Sequence, residues 1–240
     1  MHIEVITSIN KLKLIGLEDL EEFELVFLNS QECNIKELYI ESCPEFYNLY
    51  LLPYNIERAI IKNSKDINEV IFGTVSEITL ENLDRITHLS VKTNKLKKLY
   101  LLNLPYFTFN YDSINLEVTE IDELFIKDVA RTGLPSQFLK YFPDQISSIK
   151  LEDLTFIKDY LLNNNYISSL DLNKNSTSIE LYNLNNLSRI NVSSPYLTSL
   201  NISYINGISY LYIDGNIQSG NLVNNFEETI SSFNTYIILI

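Results

Sequence analysis

Short apolar segments of one form recur along most of the chain. Each segment reads apolar-x-x-apolar-x-apolar, as in residues 9–14, 96–101 and 197–202. In an extended strand, the fourth and sixth positions point to one side and the fifth position points to the other side. Each hexamer therefore predicts a short strand that buries one face.

The hexamers recur about every ten or eleven residues, and alternate hexamers have similar flanking residues. The first nine follow one another without a break and begin at Ile9, Leu20, Ile35, Phe46, Ile56, Ile67, Val75, Ile86 and Leu96. A chain that repeats at a fixed period stacks its repeats into a solenoid. We therefore predict about ten coils, with a repeat of about 20 to 21 residues and two extended segments in each coil.

The ends of alternate hexamers carry a further pattern, an Asn followed by another apolar residue. Residues 78–83 read Ile-Thr-Leu-Glu-Asn-Leu, and residues 99–104 read Leu-Tyr-Leu-Leu-Asn-Leu. This pattern resembles the leucine-rich repeat family, in a short and irregular form that covers most of the chain. The Asn is one place away from the usual family position in several coils, whereas Asn94, Asn175 and Asn216 occupy that position.

The resemblance implies a right-handed leucine-rich-repeat solenoid, β-rich within the α/β class, with few helices and a C-terminal cap. It also implies a repeat surface that binds other proteins. At the corner of a coil, an Asn amide can satisfy backbone groups that a bend would leave unpaired in the interior. We therefore expect the corner Asn side chains to be hydrogen-bonded to backbone groups.

One continuous domain is expected for residues 1–240. Residues 1–34 are predicted to form N-terminal coils or a cap, residues 35–213 the repeats, and residues 214–240 the C-terminal cap. A longer helical coil interrupts the short rhythm at residues 127–151. The chain is long enough for such a domain, since 240 residues with 45% hydrophobic content can bury a large core.

The helix in the longer coil is predicted from its flanking prolines. Pro135 and Ser136 suit a first helical turn, Pro143 suits a stop, and the residues between them have helical spacing. An ordinary longer repeat is the favoured interpretation. A lid or a docking loop is the alternative.

The C-terminal cap is predicted to be a helix followed by a strand. Phe226, Ile230 and Phe233 have helical spacing, and residues 237–240 are all apolar. The end of a solenoid exposes an apolar edge that must be covered. We therefore expect residues 237–240 to be buried.

The net charge of −13 limits the classes of partner. Binding of nucleic acid or of an anionic membrane surface requires a basic footprint, so neither is expected for the molecule as a whole. No apolar stretch approaches the roughly 18 residues that a membrane-spanning helix requires, so no membrane insertion is expected. A cytoplasmic location is favoured, and secretion stays open if a leader was removed. Cys33 and Cys43 are expected to be reduced, with a disulfide as the alternative.

The sequence lacks the common patterns of catalytic and metal sites. His2 and His88 are far apart, and no residue is placed to orient a nucleophilic pair of Cys33 or Cys43 with His88. Metal ligation would require more Cys and His at short spacing, and six glycines provide no phosphate-binding loop. Acidic runs are usually solvated, and calcium binding at acidic turns is a weak alternative. We therefore expect no enzyme activity, no cofactor and no metal.

Outward positions three and five of the hexamers between residues 9 and 101 sort into two faces. The first face carries Lys11, Lys13, Glu37, Tyr39, Arg58, Ile60, Glu77, Thr79, Lys98 and Tyr100. The second face carries Glu22, Glu24, Asn48, Tyr50, Glu69, Ile71, His88 and Ser90. Four basic and two acidic residues make the first face net positive, whereas the second face has three acidic residues and no Lys or Arg.

This distribution predicts where a partner protein binds. Tyr and Arg are the side chains that most often anchor interfaces. Our hypothesis is that Tyr39, Arg58, Lys98 and Tyr100 engage an acidic protein surface, so that the chain is a non-catalytic protein-protein interaction module. The alternative for these residues is that Lys and Tyr only keep a strand surface soluble and β-prone. The alternatives for the whole protein are a structural or assembly component, or an enzyme whose site is scattered over several coils.

Overall fold

The computed structural model describes residues 2–5, 8–21, 24–27, 33–52, 54–160, 166–184, 187–203, 210–223, 227–230 and 233–239. Strands and one 3₁₀ helix make up its secondary structure. The strands of the first part are β1 (His2–Val5), β2 (Ser8–Ile15), β3 (Glu24–Phe27), β4 (Cys33–Glu41), β5 (Asn48–Leu51), β6 (Tyr54–Lys62), β7 (Glu69–Phe72), β8 (Val75–Glu81), β9 (His88–Lys92), β10 (Lys95–Leu104), β11 (Ile114–Glu117) and β12 (Glu120–Val129).

The 3₁₀ helix spans Phe138–Tyr141 and separates β12 from the remaining strands. These are β13 (Gln145–Glu152), β14 (Lys158–Tyr160), β15 (Tyr166–Asn173), β16 (Ser178–Tyr182), β17 (Arg189–Ser193), β18 (Ser199–Ser203), β19 (Tyr210–Ile217), β20 (Ser219–Val223), β21 (Glu227–Ile230) and β22 (Phe233–Leu239).

The strands form a β-solenoid of about eight turns, so the prediction of about ten coils is too high. One eleven-stranded sheet, called the long sheet here, has the order β2-β4-β6-β8-β10-β12-β13-β16-β18-β20-β21, and all its neighbours are parallel except β20 and β21. The opposite side carries a four-stranded sheet, β11-β9-β7-β5, and a five-stranded sheet, β14-β15-β17-β19-β22. The remaining pair is β1 with β3. Alternate hexamers therefore enter different sheets in most coils, as predicted, but the coil between β12 and β13 has the 3₁₀ helix in place of a second strand.

The hexamer pattern also predicts the core. Leu99 and Leu101 are fully buried in β10, and Leu89 and Val91 are fully buried in β9 on the opposite side. Leu99 lies in register with Ile78 on one side and with Leu124 on the other. Stacking of like positions from coil to coil thus builds one continuous apolar core between the sheets.

The predicted helix in the longer coil is a single 3₁₀ turn. It ends at Tyr141, and the next residue, Phe142, has an extended backbone with φ of −105° and ψ of 158°. The residue before a proline avoids the helical region, so Pro143 stops the helix at this point. Phe138 and Phe142 face Phe109, with ring centroids 5.1 and 5.8 Å apart. The longer coil is therefore held by aromatic packing.

The predicted C-terminal capping helix is wrong. The described residues of this segment form β20, β21 and β22 instead, with β21 antiparallel to β20 and β22 antiparallel to β19. A strand at the edge of a sheet leaves backbone groups unpaired, and an antiparallel neighbour satisfies them where a helix could not. Phe226 and the side chains of residues 237–240 lie outside the described part of the chain, so the predicted burial of residues 237–240 does too.

The corner Asn residues have a different role from the expected one. Residues at the ends of the long-sheet strands adopt left-handed backbone, with positive φ at Ser42, Asn63, Asn82, Asn103, Asp128, Asp153 and Asn183. Their backbone N–H groups are satisfied by the next coil, as in Asn63 N–H to Glu81 O at 3.1 Å. The side-chain amides are therefore free to bond one another, and Asn tolerates this backbone better than most residues.

The Asn side chains form a ladder along the corner. Asn103 Nδ2 donates to Asn82 Oδ1 at 2.6 Å, and Asn82 Nδ2 donates to Asn63 Oδ1 at 2.7 Å. Asn94 and Asn216, which occupy the usual family position, are exposed to solvent. The expectation that corner amides satisfy interior backbone groups is therefore wrong for the ladder.

Cys43 and Lys174 are ionisable groups that are buried in the described part of the solenoid. Cys43 is a free thiol whose Sγ lies 3.5 Å from Glu41 O and 3.7 Å from Leu14 O, and burial raises the pKa of the thiol. Lys174 donates from Nζ to Phe142 O at 2.9 Å and lies 3.4 Å from Asp144 Oδ1. Burial lowers the pKa of Lys174. The contacts of Lys174 with Phe142 and Asp144 connect the longer coil to the following turn.

Candidate functional site

The ten residues of the first face all lie on the outer side of the long sheet. Lys11, Glu37, Arg58, Glu77 and Lys98 follow one another in register on β2, β4, β6, β8 and β10. We call these residues and their continuation the third-position row. The fifth-position row beside it contains Lys13, Tyr39, Ile60, Thr79 and Tyr100 in the same register.

The described residues of the second face lie mostly on the opposite sheet. Asn48, Glu69 and His88 are in register on β5, β7 and β9, and Tyr50, Ile71 and Ser90 form the adjacent row. Glu24 is an exception because it lies on β3, which pairs with β1. Glu22 and the side chain of Glu24 are outside the described part of the chain.

The structure places the four predicted contact residues on β4, β6 and β10 of the long sheet. Tyr39 and Tyr100 belong to the fifth-position row, three strands apart, and Arg58 and Lys98 belong to the third-position row, two strands apart. Neighbouring strands are separated by about 4.8 Å, so the four residues extend over about 14 Å of sheet. This distance is short enough for a single partner surface to contact them all.

Tyr39 is held by charged neighbours. Its hydroxyl donates to Glu41 Oε2 at 2.7 Å, and Lys13 and Lys62 place their Nζ atoms 5.5 and 5.4 Å from the ring centroid. The hydrogen bond from Tyr39 lowers the pKa of Glu41, and the contact with Tyr39 raises the pKa of Lys62. Tyr39 is therefore fixed in orientation and partly covered.

Arg58 and Lys98 differ in their pairing. Arg58 Nε lies 3.4 Å from Glu77 Oε2, and half of the Arg58 side chain is exposed. Lys98 is half-buried and makes no ion pair with any described residue. Of the two predicted cationic contact residues, Lys98 is therefore the one that has no ion pair with a carboxylate in the described part of the sheet.

Tyr100 is bound to a residue on the next strand. Its hydroxyl donates to Glu123 Oε1 at 2.5 Å, and its ring packs edge-on against Phe125 with centroids 5.7 Å apart. Burial and then this hydrogen bond raise the pKa of Tyr100 to about 12. Glu123 and Phe125 were missed because the pattern beyond residue 102 is irregular. The hexamer at residues 121–126, however, places them at positions three and five.

The third-position row alternates in charge once Glu123 is included. The row reads Lys11, Glu37, Arg58, Glu77, Lys98 and Glu123. An ion pair joins Lys11 and Glu37, and hydrogen bonding to Lys11 lowers the pKa of Glu37. The third-position row is therefore neutral over these six strands, and the net positive charge that remains on the first face comes from Lys13 in the fifth-position row.

The same row loses its charges in the second half of the sheet. After Glu123 it continues as Ser148, Ser178, Ser199 and Ser219. Hydroxyl groups also bond to backbone beside this row, with Thr177 Oγ1 donating to Ser147 O at 2.9 Å and Thr198 Oγ1 to Thr177 O at 3.1 Å. After this row we call the part of the long sheet from β2 to β12 the charged half and the part from β13 to β20 the hydroxyl-rich half, although Lys150 and Glu180 form an ion pair in the adjacent row of the latter.

Grooves lie along the charged half and at its border with β13. A groove of about 350 Å³ adjoins Arg58 and is lined by Asn10, Lys11, Lys36, Glu37, Glu57, Arg58 and Glu77. A groove of about 540 Å³ lies toward the corner and is lined by Glu81, Asn82, Leu102, Asn103, Phe125, Lys127, Asp128, Lys150 and Glu152. We call the latter the Leu102 groove.

The described residues offer little for metal or acid-base chemistry. Among them, no group of three or more His, Cys, Asp and Glu side chains is placed to hold a metal ion. His88 Nδ1 lies 2.6 Å from Asp112 O, and its Nε2 lies 3.7 Å from Glu69 Oε1. Within the same ranges, no helix is long and apolar enough to span a membrane.

Comparisons with known proteins give no match to this chain, whether with family models, with curated proteins or with solved structures.

Proposed function

We propose that this protein is a non-catalytic protein-protein interaction module that binds its partner on the charged half of the long sheet. The observation that carries the proposal is the stack of parallel strands with outward residues in register, β4 to β12. Such a surface is wide, and the continuous core beneath it keeps it rigid. A rigid surface loses little conformational entropy on binding, so its contacts contribute more fully to affinity.

In this proposal the solenoid is a short, irregular leucine-rich repeat, wound in the right-handed sense. A spacing of 21 residues between Ile78 and Leu99, and again between Ile179 and Leu200, supports the repeat length. The antiparallel strands β21 and β22 would act as the C-terminal cap, since they cover strand edges of the last turns. Asn94 and Asn216 occupy the usual family position, but their side chains are exposed to solvent.

The contact residues of the proposal are Tyr39, Arg58, Lys98 and Tyr100, and the partner surface is acidic. Arg58 supports this because half of its side chain is exposed. Lys98 supports it because it has no ion-pair partner among the described residues. Tyr39 and Tyr100 are already hydrogen-bonded to Glu41 and Glu123, so they would contribute ring surface to the interface.

The experiment is affinity capture from the native source followed by charge reversal. Mass spectrometry identifies the protein captured by the wild type, and its affinity is then measured for Arg58→Glu with Lys98→Glu. We expect this double variant to weaken binding by at least about tenfold, because it replaces two attractive charges by repulsive ones.

The matched control is Arg85→Glu with Lys92→Glu, which changes the net charge by the same amount away from the first face. Arg85 and Lys92 are well exposed and pair with Asp66 and Glu117. Binding by the control should stay within about threefold of the wild type, since distant exposed charges are screened. Equal loss in both double variants, or no loss in either, would contradict the proposed face.

A further inference from the structure

The Leu102 groove has an apolar floor and a charged rim. Leu102 and Phe125 are half-buried on neighbouring strands and form the floor. Glu81 lies on the strand to one side of Leu102, and Lys127 and Asp128 lie on the strand to the other side. The groove therefore offers both apolar and electrostatic contacts to a single occupant.

The register row that contains Leu102 leaves Glu81 without a cationic partner. In register it reads Glu41, Lys62, Glu81, Leu102, Lys127 and Glu152. Lys62 pairs with Glu41 at 3.3 Å and not with Glu81. The neighbours of Glu81 in this row are therefore Leu102, which is uncharged, and Lys62, which pairs with Glu41. Glu81 makes no ion pair with a described residue.

The lysines that line the groove are turned away from Glu81 and Asp128. Lys127 Nζ lies 2.6 Å from Glu152 Oε1 and 3.4 Å from Asp153 Oδ2, and Glu152 raises the pKa of Lys127. Lys150 Nζ lies 3.4 Å from Glu152 Oε2 and 4.9 Å from the Phe125 ring centroid. Lys127 and Lys150 therefore both pair with carboxylates on the β13 side of the groove.

Two carboxylates of the groove, Glu81 on β8 and Asp128 on β12, are left without a cation. Asp128 has no ion-pair partner among the described residues, and neither has Glu81. They stand two strands apart, about 10 Å at the backbone, with Leu102 between them. A cation seated above Leu102 would have a carboxylate on each side.

We propose that the Leu102 groove receives one basic side chain, Arg or Lys, of the partner protein. The aliphatic stem of that side chain packs on Leu102 and Phe125, and its charged head pairs with Glu81 and Asp128. Long basic side chains bury their methylene groups on apolar surface in this way while the head stays hydrated. The inference rests on the proposed function, because it adds a contact to the same sheet.

The test uses a small probe and does not need the partner. N-acetyl-arginine methylamide is titrated into the ¹⁵N-labelled full chain at constant ionic strength, with N-acetyl-citrulline methylamide as the uncharged probe of the same shape. We expect saturable amide shifts at Glu81, Leu102 and Asp128 with the arginine probe, and none with the citrulline probe. Glu81→Gln with Asp128→Asn should weaken the arginine probe by about fivefold, because two exposed ion pairs are lost.

The control variant is Asp112→Asn with Glu117→Gln, which removes the same charge from the side of the solenoid that carries β11. It should bind the arginine probe as the wild type does. Shifts spread over many acidic residues, equal loss in both double variants, or no saturable shift would overturn the inference. None of these results would affect the test with Arg58 and Lys98, so a failure of this groove is distinguishable from a failure of the proposed function.

Discussion

The two halves of the long sheet share one interior and differ on the outside. From β4 to β12 the third-position row alternates between Lys or Arg and Glu, whereas from β13 to β20 it contains only Ser. The inward positions are the same kind of apolar residue in both halves, as Leu99 and Leu200 illustrate. Inward residues therefore set the fold, and outward residues are free to differ in chemistry.

The corners of the two halves differ as well. The first half has the continuous ladder of Asn63, Asn82 and Asn103. In the described part of the second half, Asn183 Nδ2 donates to Asp153 Oδ1 at 2.6 Å, and the pair does not continue into a ladder there. The ladder runs where coils have similar length, with 21 residues between Leu38 and Ala59. It ends where the coils lengthen to 25 and then 30 residues, between Leu99 and Ile179.

The largest expected effect concerns the shared interior. Leu99 is flanked by Ile78 and Leu124, whereas Leu200 is flanked by Ile179 and Gly220. Leu99→Ala should lower the free energy of unfolding by about 2–5 kcal/mol, and Leu200→Ala should lie at the lower end because its glycine neighbour packs less against it. Leu99→Asp and Leu200→Asp should prevent folding, since each buries a charge without a partner.

Urea denaturation followed by circular dichroism measures these differences for the alanine variants. If Leu99→Asp retained the wild-type melting temperature, the assignment of Leu99 to the buried core would be wrong. A larger cost for Leu200→Ala than for Leu99→Ala would reverse the expected ranking of the two halves.

The corner ladder gives an intermediate effect. Asn82 has a φ of 54° and takes part in two side-chain hydrogen bonds, whereas Asn183 has a φ of 48° and one such bond in the described structure. Left-handed backbone costs other residues about 1–2 kcal/mol, and a hydrogen bond contributes about 0.5–1.5 kcal/mol. We expect Asn82→Ala to cost about 2–3 kcal/mol and Asn183→Ala about 1 kcal/mol less.

Glycine variants separate the two contributions. Asn82→Gly removes the hydrogen bonds but tolerates the left-handed backbone, so chemical denaturation should show a smaller loss than for Asn82→Ala. Equal losses in the glycine and alanine variants would mean that the ladder alone, and not the backbone, requires Asn at this corner.

The smallest expected effect concerns the charges on the outside. Glu77→Lys places a third cation between Arg58 and Lys98, and we expect it to cost about 0.5–1 kcal/mol at low salt. The cost should fall in 1 M NaCl, where the screening length is about 3 Å. Ser178→Lys, at the equivalent position of the hydroxyl-rich half, should change stability by less than about 0.5 kcal/mol.

Thermal unfolding at two salt concentrations compares these variants. The comparison between the halves predicts a salt-dependent difference for Glu77→Lys and a salt-independent result for Ser178→Lys. A similar salt dependence in both variants would show that the alternating row contributes nothing specific to the charged half.

The hexamer pattern by itself predicted the strands, the alternation between two sides and the membership of the first face. These features follow from local geometry, because the period of two along a strand decides which side chains are buried. The Arg58 and Lys98 pair could therefore be placed on one surface without coordinates. The role of these residues in binding stays a prediction.

Tertiary structure alone decided which side chains became neighbours across coils. Coil length varies between Leu99 and Ile179, so Glu123 and Phe125 came to lie beside Tyr100 through strand register and not through sequence spacing. The segment that contains Ile230 and Phe233 has helical spacing in the sequence. It forms β21 and β22 instead, because these strands pair with the strand edges of the last turns. Corner amides bonded one another because the next coil had already satisfied the backbone. Local periodicity determines which side of the strand a side chain points to. Its partners on neighbouring strands depend on the number of residues in each coil, because coil length sets the strand register.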